Sequence, residues 1–337
     1  MGVLMRLTLF IILFSFTNLL YAAESADLTI YSSRKEQLLK GIIEAYQAKT
    51  GKKIIVIYDS EGPLLEKLKS EGANSRADLL LTVDAGNLWK AAESGLLISV
   101  KSKNLEKSVA PNLRDPGGRW YALTKRVRAI VYNPAKVKPE ELSTYEDLAD
   151  PKWKGRLCLR SSGKVYNQSL IAMMIERLGE KKTNEVVNGW VKNLAVKVFS
   201  DDTSLIKAVE NGPCHVGIAN NYYLGSLIKE NSDYPVKLFW PNQNTSGAHI
   251  NISGIGMTAS SKNQKAALQF MEWAVSAEAQ KLFSEINLEF PAIEKPEIPL
   301  NSVLKQFGKF KSENINLSIA GKRQQQAVML MDKAGYK

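Results

Sequence analysis

Two tyrosines stand side by side at positions 222 and 223, in the stretch IANNYYLGSL, after an apolar run and a pair of asparagines. A free phenol keeps its proton up to about pH 10, so it ligates a cation only when the cation is charged highly enough to displace that proton. Hard trivalent ions do this and favour anionic oxygen donors, with ferric iron foremost among the common biological metals, whereas softer ions seek imidazole and thiolate. Zinc and copper sites are poorly supplied here, because the whole chain carries two histidines and two cysteines. The competing use for such a pair is packing, with both rings wedged between a helix and a sheet.

Position decides whether neighbouring rings can act together. Successive residues on a strand point to opposite faces, but in a loop or a first helical turn both side chains can reach one point. HVGIAN reads as a strand and the segment after it as the start of a helix. The same alternation runs through the chain: a strand at 28–31, a helix at 35–49 stopped by Gly51, a strand at 54–58, a helix in PLLEKLKSEG, a buried strand in ADLLLTVD and a helix ended by Gly95. RAIVYNP and RLCLRSS read as strands and YNQSLIAMMIERLG as a helix, after which VKVFS, DTSLIKAVENG and HVGIAN carry the alternation to residue 220. SKNQKAALQFMEWAVSAEAQKLFSEIN reads as helical, EFPAIEKPEIP as a proline-rich break, and the remainder as largely helical. Strand, helix and strand within some thirty residues form a βαβ unit, which implies a parallel sheet. Open parallel sheets bind ligands beyond the carboxyl ends of their strands, which is where residues 220–223 fall.

A chain of 337 residues with 45% hydrophobic content has room for two cores. The expected architecture is α/β in two lobes, with crossings near KRVRAIVYN and HINISGIGM; lobe 1 takes residues 27–124 plus 250–300 and lobe 2 residues 125–249 plus 301–337. A single large doubly wound domain is the competing arrangement. Residues 1–23 read as a secretory signal peptide, with a basic start, an apolar run at 7–20 too short to span a bilayer, and small residues ending at Ala22 and Ala23. An uncleaved anchor is the other reading. Cys158 and Cys214 each lie in a strand-like run, and an oxidising compartment would let them pair; otherwise they are small buried hydrophobes. The net charge of +11 comes from lysines scattered along the chain, so it describes a solvated surface and no nucleic-acid partner is expected.

Six segments in order, YSSRKE, ADLLLTVDAG, TKRVRAIVYNP, WKGRLCLRSS, YNQSL and NNYYLGSL, resemble the periplasmic ferric-ion-binding proteins that serve ABC importers. The resemblance spans nearly the whole chain after residue 23, and the tyrosine pair is its most specific part. It implies a class II periplasmic binding protein fold, two α/β lobes hinged over a cleft that holds Fe(III), with an inner-membrane ABC permease as partner, a periplasmic location and a monomeric state. It further implies that Tyr222, Tyr223 and Tyr166 are iron ligands, that Arg126 balances the phenolates or holds a synergistic anion such as carbonate, and that Ser161, Ser162 and Gly163 match a loop that contacts this anion in some members. Arg128, two residues on and on the same side of a strand, competes with Arg126. Where the family often carries His-Tyr or Gln-His after the first strand, this chain has Lys35-Glu36. Glu36 is then a candidate oxygen ligand and Lys35 a candidate anion contact, and an exogenous anion or water can take one coordination position. Asp84 stands where some members place a carboxylate ligand, although its position before a helix equally suits an N-cap.

Two other function classes compete. The same fold could bind a small organic cation or an oxyanion, such as thiamine, a polyamine or a phosphonate, and LRSSGK with the positive charge would suit an anion. An enzyme is not expected: GxSxG, HExxH, P-loop and GxGxxG patterns are absent, and two histidines leave little for acid–base chemistry. His215, His249 and Tyr31 read as structural.

Overall fold

A computed structural model describes residues 26–293 and 298–337; the expected signal peptide lies outside them. In chain order the strands are β1 (Leu28–Ser32), β2 (Ile54–Tyr58), β3 (Leu79–Thr82), β4 (Tyr121–Tyr132), β5 (Leu157–Cys158), β6 (Val216–Asn220), β7 (Lys237–Phe239), β8 (Ile250–Met257) and β9 (Phe290–Pro291). The helices are α1 (Glu36–Thr50), α2 (Glu61–Glu71), α3 (Ala85–Glu93), α4 (Lys103–Ser108), α5 (Val165–Asn193), α6 (Asp202–Asn211), α7 (Asn221–Glu230), α8 (Gln264–Ala274), α9 (Ala277–Asn287), α10 (Ser302–Gln306), α11 (Ser318–Lys322) and α12 (Gln324–Lys333).

The first βαβ unit forms as its pattern dictates. Leu39, Ile42, Ile43 and Tyr46 make the buried stripe of α1, and Gly51 ends it at φ 69°, a conformation costly for any residue with a Cβ. β1 then lies parallel to both β2 and β3.

The sheet order is β2-β1-β3-β8-β4-β6-β5, with β7 and β9 also pairing with β4. It is mixed rather than parallel, because the two strands that cross the molecule run against their neighbours. β8 is antiparallel to β3, and β4 is antiparallel to β8, β6, β7 and β9. Every residue of β4 is buried; its first part pairs with β8 up to Val127 and its last part with β6 from Arg128. One strand therefore belongs to both halves of the fold.

The cores divide accordingly. One gathers β1, β3, α1, α3, α8 and α9 around Ile30, Leu80, Phe270 and Phe283. In the other half, alternation along β4 sends Ile130 and Tyr132 to one face, with Trp153 and Trp190, and Val131 to the opposite face, with Leu205 and Leu224. The C-terminal segment departs from the expected division. Val303, Leu304 and Leu317 join the first core, and only Ala327, Leu330, Met331 and Tyr336 join the second.

Three local features also differ from the sequence reading. α5 continues beyond Gly179, which bends it at φ 78°. The long helical stretch after residue 262 is split by Ser276, whose hydroxyl caps α9 by accepting from the Ala279 amide. VKVFS forms no strand; Phe199 only bridges to Arg160. Cys158 and Cys214 are disulfide-bonded, with 5.8 Å between their Cα atoms, since parallel pairing of β5 with β6 brings their ends together.

Candidate metal centre

β6 delivers the tyrosine pair. Asn220 is the extended N-cap of α7, so Tyr222 and Tyr223 fall in its first turn and stack, their ring centroids 4.3 Å apart at an interplanar angle of 34°. Tyr166 lies in the first turn of α5, and the Tyr222 hydroxyl donates to its oxygen at 3.4 Å. Asn220 Nδ2 donates to the Tyr222 oxygen, also at 3.4 Å. All three half-buried rings line a cleft of about 1190 Å³ with walls from both halves of the molecule.

Two guanidiniums face these phenols. Arg126 on β4 is buried, its Cζ 5.0 Å from the Tyr166 ring centroid. Its Nη1 donates to Ser253 Oγ at 3.4 Å, whereas Nε and Nη2 meet no hydrogen-bond partner among the described residues. Arg160 lies 5.3 Å from Tyr166 and 6.0 Å from Tyr223. Arg128 is committed elsewhere: its guanidinium donates to Asp202 (2.7 Å), Asn167 (2.6 Å) and the Ile218 carbonyl (2.9 Å).

Burial raises the Tyr222 phenol well above 10, helped by the neighbouring phenols Tyr166 and Tyr223 and opposed by Arg126. Tyr166 is likewise raised by burial, with Arg126 and Arg160 pulling it back. Burial works against the Arg126 charge, but Tyr166, Tyr222, Glu289 and Asp84 outweigh it and raise its pKa. Tyr166 and Tyr222 therefore keep their protons at neutral pH, with Arg126 the nearby positive charge that opposes the rise.

The opposite wall contains groups that motif comparison did not single out. Arg34, buried, pairs with Glu289 at 2.9 Å and donates to Ser253 at 2.6 Å. Glu289 also accepts from Thr124 Oγ1 at 2.5 Å. Tyr58 and Asn287 line the cleft as well, as does Lys35, the expected anion contact, and both amide atoms of Asn287 lack a hydrogen-bond partner among the described residues. Leu288 at φ 53° turns the chain so that 287–289 face the cleft, a conformation with no sequence signature at a leucine. Arg34 and Arg160 had a usable signal, since each follows a strand in the quoted segments.

Several expected residues lie elsewhere. Glu36 is exposed and does not line the cleft, though its charge, after burial, contributes to raising the Tyr58 phenol. Asp84 is buried behind the wall, capping α3 through the Asn87 amide at 3.0 Å and accepting from Asn251 Nδ2 at 2.6 Å; burial raises its carboxyl. Ser161, Ser162 and Gly163 are set back from the cleft. Their amides go to the Phe199 carbonyl (2.8 Å), the Lys337 carbonyl (2.9 Å) and Ser161 Oγ (3.3 Å), which leaves none for an anion. His215 accepts from Arg156, and buried His249 sits between Glu313 and Ser169. Among the described residues, no three of His, Cys, Asp and Glu gather as a metal site.

Two α/β halves joined by shared strands around a polar cleft define a solute-binding protein. The chain belongs to the bacterial extracellular solute-binding protein family, whose model matches residues 41–296. It is 42% identical over 320 residues to iron uptake protein A1 of Synechocystis, covering 93% of this chain and 88% of that protein. It also resembles the structure of Trichodesmium FutA (IdiA) in complex with iron and citrate ligands, with a TM-score of 0.87 at 44% identity over 92% of this chain and 99% of that one. For the ferric binding protein from Campylobacter jejuni the TM-score is 0.85 at 36% identity, over 92% of this chain and 100% of that one. This chain is accordingly a solute-binding protein rather than an enzyme.

Proposed function

We propose that the protein captures Fe(III) in the periplasm through the phenolates of Tyr166, Tyr222 and Tyr223 and hands it to an inner-membrane ABC permease. The observation that carries this reading is the convergence of three phenols, two of them raised by burial, beside buried guanidiniums at one point in an inter-lobe cleft. A ferric ion supplies three positive charges and three phenolates cancel them, so the metal–phenolate unit is neutral. Arg126 then remains as positive charge with two unpartnered donors. That excess favours a synergistic anion such as carbonate, or a bound carboxylate chelator, in the remaining coordination positions. Arg126, Asn287 and exposed Lys35 are the groups of this chain that fit it, taking the place expected of the 161–163 loop. The names of the iron-binding relatives support the cargo.

Each side chain has a separable task. The phenols bind and release protons at their oxygens, Arg126 holds the anion with its two unpartnered donors, and the crossing strands β4 and β8 let the halves hinge open for release. The test is ferric loading of the wild type and of Tyr222→Phe and Tyr223→Phe. Wild-type protein should develop a visible phenolate-to-iron charge-transfer band, and each variant should weaken it. A colourless wild type that leaves ferric ion to a competing chelator would remove the proposal.

A further inference from the structure

We propose that Arg160 is a positioning residue for the bound metal, its guanidinium holding the rings of Tyr166 and Tyr223 and offsetting their charge once they are phenolates. This rests on the ferric reading above. The guanidinium lies within 5.3 Å of one ring and 6.0 Å of the other, so one side chain touches two of the three phenols. It is 5% exposed and forms part of the cleft wall.

Its surroundings fix it in place. The Arg160 carbonyl accepts from the Tyr336 hydroxyl at 2.6 Å and from Asn167 Nδ2 at 2.8 Å. Behind the guanidinium stands Asp202 at 3.5 Å, a long ion pair, and Asp202 is already engaged by Arg128 at 2.7 Å and by the Asn220 amide at 2.9 Å. One carboxylate thus faces two guanidiniums. Among the described residues Arg160 Nε meets no hydrogen-bond partner. A buried guanidinium with donor capacity left over is costly unless a polar partner stands in front of it, and the rings of Tyr166 and Tyr223 are what it faces. Tyr166 is then approached by Arg126 from β4 and by Arg160 from the segment after β5.

The consequence is spectroscopic as well as thermodynamic. A positive charge nearer the rings than the metal stabilises the phenolate donor orbital more than the iron acceptor orbital, which moves the charge-transfer band to higher energy. Removing it should move the band to longer wavelength and weaken iron binding about 10–100-fold, the usual effect of losing a group that orients metal ligands. The band intensity at saturation should be kept, because all three phenols remain.

The experiment uses full-length mature protein titrated with ferric nitrilotriacetate, comparing wild type with Arg160→Gln, Arg160→Met and Arg160→Lys. Asp202 keeps Arg128 in every variant, and methionine fills the space without new hydrogen-bonding needs. The neutral variants should show the red shift and the affinity loss, while lysine, which retains the charge, should hold the band near its wild-type position. Neutral variants with wild-type band and affinity would overturn the inference, reducing Arg160 to a structural partner of Asp202; so would a lysine variant shifted as far as glutamine. A wild type without any band would instead overturn the ferric reading and this inference with it.

Discussion

Replacing Tyr222 by phenylalanine tests the proton bookkeeping of the site. Burial raises both Tyr222 and Tyr166, so near neutral pH each holds its proton in the iron-free protein. Even an unshifted phenol, with a pKa of about 10, costs about 4 kcal/mol to ionise three units lower, so these two together cost more than about 8 kcal/mol, which the ferric ion must supply. Because these pKa values lie above the working range, each coordinated phenol releases a whole proton when iron binds. Apparent affinity should therefore rise with pH, by about a hundredfold per unit from these two phenols alone. Tyr222→Phe removes one step, so its slope should be shallower by about tenfold per unit. Competition against a chelator of known protonation constants, between about pH 6 and 8, reads both slopes. A variant that keeps the wild-type pH slope would show that Tyr222 does not bind as a phenolate.

Four further outcomes follow from the geometry. Asp84→Asn should leave the iron band and stoichiometry unchanged, whereas Asp84→Ala should cost about 1–2 kcal/mol in urea unfolding through loss of the α3 cap; a fainter band in Asp84→Asn would return it to the ligand set. Glu36→Gln should change ferric affinity by less than about threefold, since the carboxylate is outside the cleft, and a tenfold loss measured by chelator competition would contradict that placement. Arg126→Gln removes the excess positive charge and the two unpartnered donors that favour the synergistic anion, so ferric affinity should fall by about 1.5–3 kcal/mol and added carbonate should no longer tighten binding. Joint Cys158→Ser and Cys214→Ser substitution removes a link across 56 residues and should lower unfolding stability by about 2–4 kcal/mol, while an unchanged urea midpoint would mean the bond constrains little.

The α/β alternation and the position of the tyrosine pair were readable because both rest on local rules. Helix α1 shows its stripe and its terminating glycine, and Asn220 to Tyr223 lies at a strand-to-helix junction whatever the rest of the chain does. Direction and partnership were not local. β4 runs antiparallel to its neighbours and serves both halves, which depends on β6 and β8 more than eighty residues away. The same holds for the site. Arg126 and Arg128 share a side of one strand, and only the distant Asp202 and Asn167 decide which of them is consumed by structure. Glu289 and Asn287 reach the cleft through the turn at Leu288, where no residue type announces it. The 161–163 loop carried a family signal for anion contact, yet its amides are taken by Phe199 and by the chain terminus at Lys337, which lies more than 170 residues on.

The visible spectrum of the wild-type protein during stepwise ferric addition tests the central claim most directly. The account predicts a band that grows to saturation at one iron per chain and fades on acidification, as protons return to the phenols. Tight ferric binding with no absorption of this kind would mean that the metal sits on other oxygens and that the three tyrosines only pack.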